Sequence, residues 1–180
     1  MHLPHPAIQA VLAALVIAAA AYDIRFRRIP NRLSLAGFLA GLAMNTAFGG
    51  WEGLKASAGG FALAFCGYLL LYLIHAMGAG DVKLMGAVGA LAGASCWLYI
   101  FVVTAIFGGV AAVVLSLARG RLRRTLWNVG FVISELSHLR APYLAREDLD
   151  VKSKKALTLP HGVSIAVGTL AVLAAGYLSR

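Results

Sequence analysis

The sequence predicts an all-α, polytopic membrane protein that forms a single domain over residues 1–180. Of these residues, 61% are hydrophobic and only 13% are charged, whereas soluble domains average about 45–50% apolar and about 25% charged residues. The apolar residues fall in long runs, and the basic residues cluster beside the ends of those runs. These three features exclude an ordinary soluble domain.

Six apolar segments are predicted to cross the membrane. They are 7–22, 33–48, 56–75, 82–93, 95–118 and 160–178. A span needs about 20 apolar residues, so the second and fourth are short. One helix over 82–118 would rise ~55 Å, more than a ~30 Å hydrocarbon core requires, which predicts a break near Gly93. The first segment is expected to be retained, because the residues before it carry no Lys or Arg, unlike a signal peptide.

The distribution of basic residues predicts the orientation. With both ends outside, fourteen of the sixteen Lys and Arg residues lie on the inner side, as the positive-inside rule requires. The net charge of +9 therefore indicates anionic lipid headgroups as partners rather than nucleic acid.

The two cysteines, Cys66 and Cys96, form no C-x-x-C pair, so neither a disulfide nor a zinc site is expected. The oligomeric state is left open.

Residues 119–159 form the long polar connection before the last span. Apolar side chains recur there at three- and four-residue steps from Leu122 to Leu139, with polar residues between them. This pattern predicts an amphipathic helix. It lies either on the inner membrane surface as a cytoplasmic interfacial segment or against its own helix bundle, and the sequence leaves both possibilities open.

Two carboxylates are predicted to lie against the spans on the inner side. Asp23 ends the first span, and Asp81 opens the fourth in the stretch "AMGAGDVKLM". Ionisable residues beside membrane spans are costly, and they commonly mark functional sites. Because the topology places both acids at the same depth, adjacent helices could bring them together.

A close pair of carboxylates suits aspartyl-protease chemistry. The two groups share a proton, so one acts as general base on a water while the other acts as general acid on the carbonyl. This chemistry requires no cofactor and no metal. The pair is expected to titrate as a unit. The helix dipole favours charge on Asp81 at a helix N-terminus and disfavours it on Asp23 at a helix C-terminus.

Several neighbours are candidates for supporting roles. Gly78 and Gly80 permit unusual backbone angles and the close approach of a substrate peptide, although they could also simply end the loop. Lys83 could hold Asp81 or contact the substrate, or it could be an ordinary inside-positive residue. His75 and His161 are lesser candidates for a place near the two acids.

Three stretches resemble a known family. "YDIRFRRIPN" at 22–31 and "GAGDVKLMGAVGALAG" at 78–93 resemble the two signature regions of type IV prepilin peptidases, which are G-x-G-D intramembrane aspartyl proteases. "LPHGVSIAVG" at 159–168 is similar to that family's last span. The resemblance covers nearly the whole chain in the right order.

The resemblance implies a six-helix bundle in the bacterial inner membrane, with Asp23 and Asp81 as catalytic residues facing the cytoplasm. It implies prepilin and pseudopilin substrates, cut after a glycine that precedes the hydrophobic pilin helix. Longer members carry paired C-x-x-C motifs and also methylate the new N-terminus. The chain looks most like the short, peptidase-only form associated with tight-adherence (Flp-type) pili, so no N-methyltransferase activity is expected.

Two other functions compete with the peptidase. A small ion- or proton-coupled transporter could use the two aspartates to bind a cation or relay protons. However, transporters usually place such residues near the bilayer midplane and often contain inverted repeats, and neither feature is evident. A non-catalytic assembly subunit of a pilus machine would tolerate replacement of Asp23 or Asp81 by Asn.

Overall fold

The computed structural model describes residues 3–75, 77–138 and 161–178. Within these ranges the chain consists of α-helices and short connections, with no β-strand, so the predicted all-α class is confirmed. We number the helices α1 (Pro6–Phe26), α2 (Asn31–Leu73), α3 (Ala79–Ala118), α4 (Leu122–Ser137) and α5 (His161–Leu178).

Four of these helices, α1, α2, α3 and α5, are long and apolar enough to cross a membrane. Two of the four are interrupted. Helix α2 contains a non-helical residue at Gly50 (φ 56°, ψ −137°), and α3 contains one at Gly93 (φ 74°, ψ 164°). A positive φ is readily accessible only to glycine. Gly50 lies between the predicted second and third segments, and Gly93 is the last residue of the predicted fourth segment. Six membrane crossings remain a prediction.

Side chains of α2 compensate for the interruption of α3. A helix end leaves its last carbonyl groups without the regular hydrogen-bond partners, and such groups are costly in lipid. Asn45 Nδ2 donates to the carbonyl oxygens of Ala90 (3.0 Å) and Leu91 (3.3 Å). Ser57 Oγ donates to the Ala90 carbonyl at 2.7 Å. The break before Gly93 is therefore stabilised by polar contacts with α2.

The first part of α3 forms the centre of the bundle. Residues 84–92 are buried throughout, and α3 packs against α1, α2 and α5. Small residues allow this close packing. A Cβ on Gly60 would collide with the Gly89 carbonyl oxygen, and one on Gly41 would lie 2.7 Å from the Ala90 carbonyl carbon. Since α3 begins at Ala79, this packing also fixes the position of Asp81.

Helix α4 lies within the polar connection, where an amphipathic helix was predicted. Its apolar side chains Leu126, Trp127 and Ile133 are exposed. Its link to α3 includes a 3.0 Å hydrogen bond between the Ser116 and Thr125 hydroxyl groups. Contact of α4 with the membrane surface remains a prediction, and the rest of the predicted interfacial segment, residues 139–159, lies outside the described residues.

Candidate active site

Asp23 lies in the last turn of α1. The helix ends at this point because Arg27 adopts a left-handed conformation (φ 52°), and its N–H donates to the Asp23 carbonyl at 2.9 Å. The Asp23 side chain is buried, with 8% of the residue exposed. Its Oδ2 accepts a 2.8 Å hydrogen bond from the backbone N–H of Gly162, in the first turn of α5. Helices from opposite ends of the chain therefore orient this carboxylate.

Asp81 lies in the first turn of α3 and is half-buried. Its Oδ2 accepts a 3.3 Å hydrogen bond from the N–H of Gly78, the residue that precedes the helix. An acidic side chain that reaches back in this way satisfies a backbone donor that the helix leaves unpaired. The contact limits the orientations open to the Asp81 carboxylate.

The two carboxylates face a common cavity of about 610 Å³. They also lie within electrostatic range of each other and of His161. The cavity is formed by the end of α1, the connection to α2, and the start of α3. Its other lining residues are Tyr22, Phe26, Arg27, Arg28, Ile29, Pro30, Asn31, Gly78, Ala79, Gly80 and Lys83. The predicted juxtaposition of Asp23 and Asp81 is thus present in the structure.

The Gly162 contact changes the electrostatic comparison of the two acids. The sequence placed Asp81 at a helix N-terminus and Asp23 at a helix C-terminus. The folded chain adds the N-terminus of α5 beside Asp23, and a helix N-terminus favours negative charge. The ends of the helices therefore no longer distinguish a charged acid from a neutral one.

The two glycines before Asp81 line the cavity with ordinary backbone angles. Gly78 has φ −81° and ψ 152°, an ordinary extended conformation, and Gly80 is not among the residues with positive φ. The expectation of unusual backbone angles is therefore wrong. A Cβ on Gly78 would lie 3.4 Å from Asp81 Oδ2, and one on Gly80 would lie 3.4 Å from Ile29 Cβ. Both distances are ordinary van der Waals contacts, so lack of space does not require glycine at either position.

Lys83 lines the same cavity and is exposed. Its Nζ donates a 3.0 Å hydrogen bond to Oδ1 of Asn31, the first residue of α2. Asn31 and the preceding Pro30, whose φ is −62°, both line the cavity.

The two histidine candidates are placed differently. His161 begins α5 and lies within electrostatic range of Asp81. His75 follows α2 with a positive φ of 58°. Neither histidine belongs to the cavity lining described above. Over the described ranges, no cluster of three or more His, Cys, Asp or Glu residues could hold a metal ion.

Sequence reasoning did not identify Gly162 as a site residue. Its N–H is bonded to Asp23, and a Cβ at this position would lie 3.0 Å from Asp23 Cβ and 3.1 Å from Oδ2. The available signal was the P-x-G pattern that opens the last apolar segment. That pattern indicates a helix start, but it does not reveal which residue the helix start contacts.

Comparisons with known proteins indicate the family of the chain. A profile described as the type IV leader peptidase family matches residues 10–113, a range that includes Asp23 and Asp81. A prepilin leader peptidase/N-methyltransferase of Neisseria gonorrhoeae is 32% identical over 121 residues, which is 62% of this chain and 41% of that protein. This chain thus spans less than half the length of that relative. No solved structure matches this chain. Because the profile covers more than half of the chain, the protein belongs to the type IV leader peptidase family.

Proposed function

We propose that the protein is an intramembrane aspartyl endopeptidase that removes the leader peptide of prepilins. The observation that carries this proposal is the shared cavity, where Asp23 from α1 and Asp81 from α3 lie within electrostatic range of each other. Family membership supports a leader peptidase. The name of the gonococcal relative supports prepilins as the substrate class.

The proposed reaction uses the two carboxyl groups with one shared proton. The ionised group removes a proton from a water, and the water oxygen attacks the scissile carbonyl carbon. The protonated group donates to the carbonyl oxygen. The tetrahedral intermediate then collapses, the C–N bond breaks, and the leaving amine takes up a proton. In this scheme the N–H groups of Gly162 and Gly78 keep the two carboxylates oriented toward the same substrate atoms.

The finer proposal concerns the type of leader peptidase. We propose that the protein acts on Flp-like prepilins from the cytoplasmic face of the inner membrane, without N-methyltransferase activity. Support comes from the basic α1–α2 connection, and from the cysteines. Cys66 is exposed on α2 and Cys96 is buried in α3, so these two do not form a paired C-x-x-C site.

Transport by the two aspartates is not favoured. The family match indicates a peptidase. The two acids also lie in the last turn of one helix and the first turn of another, whereas coupling residues of transporters typically lie near the bilayer midplane.

The experiment co-expresses the chain with a candidate prepilin and follows leader removal on a gel. Wild type is expected to yield cut pilin, and both Asp23→Asn and Asp81→Asn are expected to leave it full length. Glu52→Gln is the matched control, because Glu52 is an exposed carboxylate that pairs with Lys55, and this variant should process normally. Processing by both Asn variants would rule out the acid pair. Mass spectrometry of the cut pilin should find an unmethylated N-terminus.

A further inference from the structure

A second cavity adjoins the candidate active site. It measures about 460 Å³ and lies between the two halves of α2, with the start of α3 at one end. Its apolar lining consists of Leu35, Phe38, Phe61 and Phe65, and its polar lining consists of Asn31, Arg32, Ser34 and Lys83. We call this cavity the aromatic groove. Its volume falls within the range of about 300–1,000 Å³ that is usual for ligand pockets.

The aromatic groove is continuous with the cavity that holds the two carboxylates. Asn31 and Lys83 line both cavities, and their side chains are joined by the 3.0 Å hydrogen bond described above. Both side chains are exposed, so a peptide can pass beside them. A ligand that spans both cavities would therefore cross from Asp81 to the phenylalanine rings along the side of Lys83.

The two cavities differ in chemistry along this path. The carboxylate cavity includes Arg27, Arg28 and the backbone of the G-x-G-D stretch, which suits a polar, extended chain. The floor of the aromatic groove is a continuous set of rings. The centroid of Phe61 lies 4.5 Å from that of Phe38 and 5.4 Å from that of Phe65. This floor suits large apolar side chains.

We propose that the aromatic groove binds the apolar segment that directly follows the scissile bond of the substrate. This inference rests on the proposed function and on the cut site that the family resemblance implies, directly before the hydrophobic pilin helix. From Asn31 to Phe38 the axis of α2 rises about 10 Å, which equals about two turns of a second helix. The first two turns of the substrate helix would pack along this part of α2, while the leader occupies the carboxylate cavity.

A lipid acyl chain is the competing occupant of any apolar groove at membrane depth. Continuity with the carboxylate cavity favours the substrate, because the chain that follows the scissile bond must leave that cavity, and the aromatic groove opens from it beside Asn31 and Lys83. The Phe61 ring also rests against Gly86, where a Cβ would lie 3.0 Å from Phe61 Cε2. The floor is therefore attached to the buried helix that carries Asp81, which gives the groove a fixed distance from the acid.

The test fills the groove with a larger side chain. Leu35 is 57% exposed and lines the groove, and Leu39 is 54% exposed one turn further along α2 and does not. Leu35→Trp is compared with the control Leu39→Trp in the full chain, reconstituted in phosphatidylethanolamine–phosphatidylglycerol vesicles. One substrate is a whole prepilin, and the other is a leader peptide that stops two residues after the cut site.

Leu35→Trp is expected to lower kcat/KM for the whole prepilin about tenfold, the equivalent of one large apolar contact. The leader peptide should be cut within about twofold of the wild-type rate, and Leu39→Trp should cut both substrates normally. Normal cleavage of the prepilin by Leu35→Trp, or an equal loss on both substrates, would overturn the groove proposal alone. A wild-type protein that cuts neither substrate would instead overturn the proposed function.

Photo-crosslinking identifies the occupant independently of turnover. A photoreactive phenylalanine analogue is placed at position 35 or at position 39 in the Asp81→Asn background, so that the prepilin is bound but not cut. Position 35 should crosslink to the prepilin within about two helical turns after the cut site, and position 39 should not. Crosslinks from position 35 to lipid only, or equal prepilin crosslinks from both positions, would contradict the proposal.

Discussion

At the scale of single residues, backbone groups orient the two acids. The N–H of Gly162 bonds Asp23 Oδ2 at 2.8 Å, and the N–H of Gly78 bonds Asp81 Oδ2 at 3.3 Å. Both donors belong to glycines, so no side chain stands between the helix start and the carboxylate. The positions of Asp23 and Asp81 were predictable from local sequence, because each lies beside an apolar run. The Gly162 contact joins residues 139 positions apart, and no local pattern reports on such a contact.

Gly162→Ala is predicted to impair catalysis more than folding. The new Cβ would lie 3.0 Å from Asp23 Cβ, so the carboxylate must shift by a few tenths of an ångström. Small misplacements of catalytic groups are costly, and we expect kcat to fall roughly 10- to 100-fold with little change in KM. Steady-state kinetics on a prepilin peptide would measure this loss.

Gly109→Ala is the control for this prediction. Gly109 lies in α3 and is exposed, and a Cβ there would have nothing within 4 Å. Its kinetics should match those of wild type. A Gly162→Ala variant with a wild-type kcat would show that the added Cβ does not displace the acid from its working position.

At the scale of the elements, glycines determine how closely α2 and α3 pack. The break at Gly93 was predictable, because one helix over 82–118 is too long for a single span. Gly50 lies between the predicted second and third segments, and no break within one helix was predicted there. The hydrogen bonds from Asn45 and Ser57 to the carbonyl groups before Gly93 could not be predicted, because both look like isolated polar residues in an apolar sequence. Their role depends on which carbonyl groups the fold places beside them.

Gly60→Ala is predicted to destabilise the bundle. A Cβ at this position would collide with the Gly89 carbonyl oxygen and lie 2.9 Å from Gly93 Cα, so α2 and α3 would have to separate. Overpacking of this kind typically costs about 1–3 kcal/mol. Unfolding in detergent, followed by circular dichroism, would register a lower midpoint temperature.

The neighbouring Gly59→Ala provides the matched comparison. Gly59 lies in the same helix, is exposed, and has open space at its Cβ position, so its stability should stay within about 1 kcal/mol of wild type. Equal midpoints for the two variants would mean that the close approach at Gly60 does not limit stability.

At the scale of the whole molecule, composition predicted the all-α class and the run of apolar segments. The hydrophobic fraction and the basic clusters sufficed, since helices are the simplest way to satisfy backbone groups in lipid. The aromatic groove could not be predicted, because Phe38 and Phe61 lie on opposite sides of the Gly50 break. Their 4.5 Å approach follows from tertiary packing of the two halves of α2.

The proposed orientation predicts opposite exposure for the two ends of the bundle. In a background with both cysteines replaced, Lys55→Cys should react with a membrane-impermeant maleimide added to intact spheroplasts. Arg121→Cys should react only after the membrane is permeabilised. Both positions are exposed in the structure, so differences in reactivity report the side of the membrane. The reverse pattern would place the two acids on the outer side.

The most direct test of the central claim, that Asp23 and Asp81 act as one unit, is cleavage of a prepilin peptide by purified Asp23→Asn, Asp81→Asn and the double variant. Catalytic groups that work as a unit lose nearly everything when one is removed. We predict that each single variant loses roughly 10⁴-fold or more of kcat/KM, and that the double variant is no slower than either. A single variant that keeps a tenth of wild-type activity, or losses that multiply in the double variant, would contradict the account.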